Sequence, residues 1–166
     1  MINITNLKTD NMKKYFLSAV LLASLALTAF SQTNVEEVDF YQSVFGMAKR
    51  TMVSDFIDLG NYSEADFWQL YDAYEVARKD LGKKRLELLD TYAREYMSLN
   101  DTRTEEIIKD MAIQKKSLDK LIFKYYKKMS KTVGVKPAAQ FYQLENYLLS
   151  AIRLAILDNI PFIGEI

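Results

Sequence analysis

The sequence predicts an all-α fold of four helices, the two central ones forming a long hairpin. Only five glycines and two prolines punctuate 166 residues. No stretch keeps the period-two alternation of a half-buried strand, and apolar residues recur at steps of three, four and seven through four successive segments.

The first helix is expected over about Glu36 to Leu59, with Val38, Phe45, Met52 and Phe56 on its apolar stripe. "GNYSEAD" breaks it, because Gly60 suits a left-handed C′ position and Ser63 suits an N-cap. The second, about Glu64 to Met97, aligns Phe67, Leu70, Tyr71, Tyr74, Ala77, Leu81, Leu88, Tyr92 and Tyr96 on one face. The third opens at "DTRTEE", where Thr102 and Glu105 have the spacing of a capping box, and runs to about Thr132. Its inward set is Ile108, Met111, Leu118, Leu121, Ile122, Tyr125 and Met129. The fourth starts at Pro137, suited to the first helical position, carries Phe141, Leu144, Leu148, Ala151 and Ala155, and ends before Pro161. Glu145 lies near that stripe, so its burial requires a cationic partner, expected from a lysine of the third helix. The central helices, about 34 and 30 residues, would extend roughly 50 and 45 Å, long for a small domain. An elongated hairpin with shorter helices folded over it is therefore expected, and a pair of such hairpins could bury its exposed length by dimerising.

Composition removes several chemistries. There is no cysteine and no histidine, which excludes disulfides, thiolate nucleophiles and the commonest metal ligand and general base. No catalytic residue, cofactor or metal is assigned, and the protein reads as a non-enzyme. Carboxylate pairs such as Glu105 with Glu106 or Asp55 with Asp58 could hold a hard cation but read first as surface charge, which leaves a carboxylate-based enzyme or a metal sensor as the least favoured reading. The 22 basic and 22 acidic residues cancel, so no global field draws the chain to nucleic acid.

The charge is nonetheless unevenly distributed. Glu36 to Glu75 holds nine acidic and two basic residues, whereas Lys109 to Lys136 holds nine lysines and two aspartates. Lys116, Lys120, Lys124, Lys127 and Lys131 share one side of the third helix. They read either as a solvated face or as a surface for anionic partners, such as acidic segments of unfolded chains. Tyrosine is abundant, at 11 residues. Most rings sit at core spacing, but Tyr126, Tyr142 and Tyr147 widen the stripe beyond one buried face. With Met47, Met97 and Met129 they suit an adaptable binding surface or a dimer interface.

"MKKYFLSAVLLASLALTAFSQ", from Met12, has the layout of a secretory signal peptide: two lysines, an apolar run from Tyr15 to Phe30, and Ala29 and Ser31 before the cleavage point. Met12 is expected to be the true start. Residues 1–11 are then an upstream extension, 12–31 the signal, 32–35 a flexible N-terminus, 36–161 the helical domain and 162–166 a tail. The rival is an uncleaved membrane anchor. No cysteine follows the apolar run for lipid attachment.

Signal peptide, four helices, absent histidine and cysteine, and two helix starts about 70 residues apart together resemble the Spy and CpxP family of bacterial periplasmic proteins. That family carries two Leu-Thr-x-x-Gln motifs, each capping a helix. Here "YSEAD" occupies the first site, with Tyr62 for leucine, Ser63 for threonine and Asp66 for glutamine. The second would be "VGVKP", where Val133 keeps the apolar position while Gly134 and Pro137 replace both capping side chains. "EADFWQLYDAYE" and "AAQFYQLENYLLSAIRLAILDNIP" are similar to a Bacteroidota-type variant. The resemblance implies a cradle-shaped periplasmic homodimer. Its activity would be that of an ATP-independent chaperone holding unfolded or misfolded envelope proteins, or of a modulator of envelope-stress sensors. The alternative is a membrane-associated sensor or regulator of an envelope-stress or sigma-factor pathway. Membrane contact is expected only if the signal segment stays uncleaved.

Mass spectrometry of the exported protein is expected to find Gln32 at the N-terminus. Retention of residues 12–31 would establish the anchor instead.

Overall fold

The computed structural model describes residues 47–157 and 160–164, and among them every regular element is helical. Helix α1 covers residues 47–56, α2 Glu64–Glu95, α3 Asp101–Thr132 and α4 Val135–Leu157. A 3-10 turn, Tyr96–Ser98, extends α2. The all-α expectation holds. The expected signal segment, Val38 and Phe45 lie outside the described residues. Contacts divide the described residues into two compact units, one of residues 47–58 with 143–157 and 160, the other of residues 59–142 with 161–164. Helix α4 therefore gives its first turns to the second unit and the remainder to the first.

In the second unit, α2 and α3 are 32 residues each, about 48 Å long. They run antiparallel: Glu95 meets Arg103 beside the loop, and far from it the rings of Tyr74 and Tyr125 meet at 5.5 Å. Arg103 donates Nε to one Glu95 oxygen at 2.6 Å and Nη2 to the other at 3.2 Å, with Nη1 on Glu106 at 2.9 Å. These hydrogen bonds hold the Glu95 carboxyl below its ordinary value.

Two buried clusters mark the hairpin. Phe67, Tyr71, Tyr74, Ile122, Tyr125, Met129, Val133, Ala138 and Phe141 are buried toward one end, and Tyr92 and Ile107 toward the other. Tyr74 and Phe141 meet edge to face at 5.0 Å, and Tyr71 and Phe141 at 6.3 Å. Tyr92 donates its hydroxyl to the Pro161 carbonyl at 2.7 Å. Between the clusters Leu81, Leu88, Met111 and Leu118 are only half-buried, because among the described residues each has only the facing helix of the hairpin to cover it. Ile107, not the expected Ile108, is the buried isoleucine of the pair. Eighteen residues before Tyr125, it completes five turns of 3.6 residues and shares that ring's face.

Several boundaries differ from expectation. The N-cap of α3 is Asn100, not Thr102: its side-chain oxygen accepts the Arg103 N–H at 2.9 Å from extended backbone. Asparagine is the stronger cap, and Asp101 then lies in the first turn, where negative charge favours the helix dipole. Thr102 becomes the second helical residue, and Glu105 pairs with Lys109 at 2.8 Å. Helix α4 opens at Val135, which leaves Pro137 third in the helix, where no intrahelical hydrogen bond is lost. Helix α1 stops at residue 56, so Gly60 is not its C′ residue. Its φ of 56° instead serves a turn that Tyr62 closes by donating its N–H to the Leu59 carbonyl at 3.0 Å.

The first unit contains the buried residues Met52, Val53, Ile57, Leu144 and Leu148, and with them two buried charges. Lys49 and Glu145 are each 1% exposed. The Lys49 Nζ lies 2.7 Å from one Glu145 oxygen and 2.8 Å from the other. Glu145 thus has the expected cationic partner, but the lysine comes from α1 rather than from the third helix. Lys49 precedes Met52 and Val53 by three and four residues, which places it on the apolar stripe of α1.

Removing either charge leaves the other buried and uncompensated. Lys49→Met or Glu145→Leu alone is expected to lower stability by about 3–5 kcal/mol, and the double variant to recover most of the loss. Urea unfolding checks this, and single changes as mild as surface substitutions would overturn it.

Candidate functional site

The five lysines named from the sequence all project from α3 into solvent. They lie opposite the face that buries Ile107, Ile122, Tyr125 and Met129. At 100° per residue, Lys116, Lys120, Lys127 and Lys131 fall within one sector, and Lys124 stands at its edge. Fifteen residues separate the first from the last, about 22 Å along the axis. Among the described residues none of the five is paired with a carboxylate. Two of them stand over rings: Lys127 Nζ lies 4.5 Å from the Phe123 centroid and Lys124 Nζ 5.9 Å from that of Tyr125. Lys128 also stands over Tyr125, at 5.0 Å.

Two of the three singled-out tyrosines come together. Tyr126 and Tyr142 meet at 5.8 Å with planes inclined 64°. Phe123 joins them, stacked on Tyr126 at 5.8 Å and 15°. The result is a row of three rings leading from the lysine face of α3 round to the start of α4. Phe123 and Tyr142 are exposed, and Tyr126 is half-buried. Beside Phe123, toward the N-terminus of α3, a shallow groove is lined by Ala112, Lys115, Lys116, Asp119 and Lys120. Tyr147 is exposed too, but it belongs to the first unit. Phe123 is the member that the sequence reading missed. Its signal was present: Tyr126 follows it by three residues and Lys127 by four, so all three share a face.

The motif residues form a second constellation. Ser63 caps α2, its hydroxyl oxygen accepting the Asp66 N–H at 3.2 Å. Val133 is fully buried at the end of α3 and donates its N–H to the Met129 carbonyl at 2.8 Å. Pro137 is buried in the first turn of α4. The two stretches compared as motif copies lie side by side, because Tyr62 rests on Gly134. A Cβ added at Gly134 would stand 2.6 Å from the Tyr62 Cζ and Oη. With φ at +83°, the position demands glycine for both backbone and space. What looked like a lost cap is a required reversal of the chain.

Among the described residues no three carboxylates, histidines or cysteines gather to hold a metal ion, and no helix is long and apolar enough to cross a membrane. Glu106 is drawn to Arg103 at 2.9 Å. Compared with protein-family models, with curated proteins and with solved structures, the chain gives no match.

Gly134→Ala is expected to cost about 1–2 kcal/mol from the backbone alone, and more while the Tyr62 ring stays in place. Adding Tyr62→Ala to that variant should relieve only the overlap. Chemical denaturation of the three proteins checks this; equal stability of Gly134→Ala and the parent would overturn it.

Proposed function

We propose that the protein is a periplasmic binding protein of Spy/CpxP-like type, a homodimer that holds unfolded or misfolded envelope proteins without ATP, as a chaperone or as a modulator of envelope stress. The observation that carries the reading is the row of Phe123, Tyr126 and Tyr142 beside five α3 lysines that have no carboxylate partner among the described residues. Rings supply large amphipathic contact area with few torsions to freeze. Exposed cations speed encounter with charged chains and weaken with salt. The surface is open and built on a rigid helix, so it accepts segments of varied sequence. The absence of histidine and cysteine turns the reading from catalysis toward binding.

A membrane-associated sensor is the second reading, favoured by the apolar run from Tyr15 to Phe30 if it is retained as an anchor. A sensor gains from staying beside its membrane partner, whereas a chaperone gains from diffusing.

The purified protein, lacking residues 1–31 and without nucleotide, is expected to suppress aggregation of a reduced or urea-diluted client. Light scattering measures it, and no suppression at several-fold molar excess would overturn the chaperone reading.

A further inference from the structure

The ring row crosses the lysine row at one point, and that crossing defines a ligand. Phe123 lies between Lys120 and Lys127 along α3, with the Lys127 Nζ 4.5 Å from its ring. From Phe123 the rings lead sideways through Tyr126 to Tyr142. An apolar side chain laid on these rings therefore has a cation on either side of it along the helix axis. Lys120 and Lys127 are seven residues apart, about 10.5 Å along the axis, and Lys124 and Lys131 repeat that interval. An extended chain of polyproline-II type advances about 3.1 Å per residue with three residues per turn, so side chains three residues apart lie on one side about 9 Å from each other, close to that interval. A helical ligand would need seven.

We propose that this surface selects extended segments in which two carboxylates about three residues apart flank an apolar or aromatic side chain. The inference rests on the client-holding reading and names the client's chemistry. Charge complementarity fixes the occupant, since the lysines lack carboxylate partners among the described residues and the rings between them are accessible. A segment with lysines in place of the carboxylates meets repulsion at both flanks. A segment with serine in place of the apolar residue keeps the attraction but leaves the rings uncovered.

Fluorescence anisotropy with labelled peptides tests it, using repeats of Glu-Phe-Ser-Glu, Lys-Phe-Ser-Lys and Glu-Ser-Ser-Glu. The first is expected to bind about tenfold tighter than either of the others, and to lose about tenfold between about 50 and 300 mM salt. Replacing Lys120, Lys124 and Lys127 by glutamine should remove the preference over the lysine peptide. Phe123→Ser with Tyr126→Ser and Tyr142→Ser should remove the preference over the serine peptide. Circular dichroism verifies that these variants stay helical. Equal binding of all three peptides, or binding unchanged by both sets of substitutions, would overturn the inference. Adsorption to phosphatidylglycerol vesicles without discrimination among peptides would also overturn it, in favour of a lipid surface. Aggregation suppression measured on the same preparations separates the two readings: suppression without peptide preference sinks the inference alone, and loss of both sinks the client-holding reading with it.

Discussion

At Gly134 the backbone takes a φ of +83°, and the Tyr62 ring lies where any side chain would have to go. The turn sends α4 back from the end of α3, and the ring placements of the second unit depend on that direction. Phe141 arrives edge-on against Tyr71 and Tyr74. Its neighbour Tyr142 points elsewhere and meets Tyr126. Two consecutive residues of one helix thus serve a core and a surface, which 100° of rotation per residue makes possible. A change in the reversal would displace both together.

Within the second unit, burial along the hairpin is uneven. Where α4 comes back, rings are covered on several sides and become fully buried. Along the middle, Leu81, Leu88, Met111 and Leu118 have one neighbouring helix among the described residues and remain half-buried. Arg103 and Glu95 close the loop end with a pair of hydrogen bonds, in a region too exposed for the ion pair alone to contribute much. In the first unit the arrangement is different, since Lys49 and Glu145 are withdrawn from water altogether. Such a pair adds little net stability over apolar residues of similar size, but either charge tolerates no other neighbour as well. It acts as a matching condition between α1 and α4.

Helix content was legible because it depends on spacing alone, and the Ser63 cap because its hydroxyl acts three residues away. The start of α3 was harder, since Asn100 and Thr102 are both acceptable caps and only the hydrogen bond to Arg103 decides between them. The charge on Glu145 announced a need for a partner without naming it. Lys49, 96 residues earlier, was readable as an interruption of an apolar stripe, yet its pairing is a tertiary fact. The candidate surface divides in the same way. Its lysines were visible from their period, whereas Phe123 acquires meaning only once Tyr142 is carried to Tyr126 by the turn.

The chain contains one tryptophan, and its position makes it a local reporter. Trp68 lies edge to face with Phe67 at 5.1 Å and with Tyr71 at 5.5 Å, and its indole N–H donates to Glu64 at 2.9 Å. Its emission therefore follows the aromatic end of the second unit, while far-ultraviolet dichroism averages over all the helices. Agreement between the two signals during unfolding would indicate a single cooperative molecule. Divergence would indicate that the units melt separately, visible without any added label.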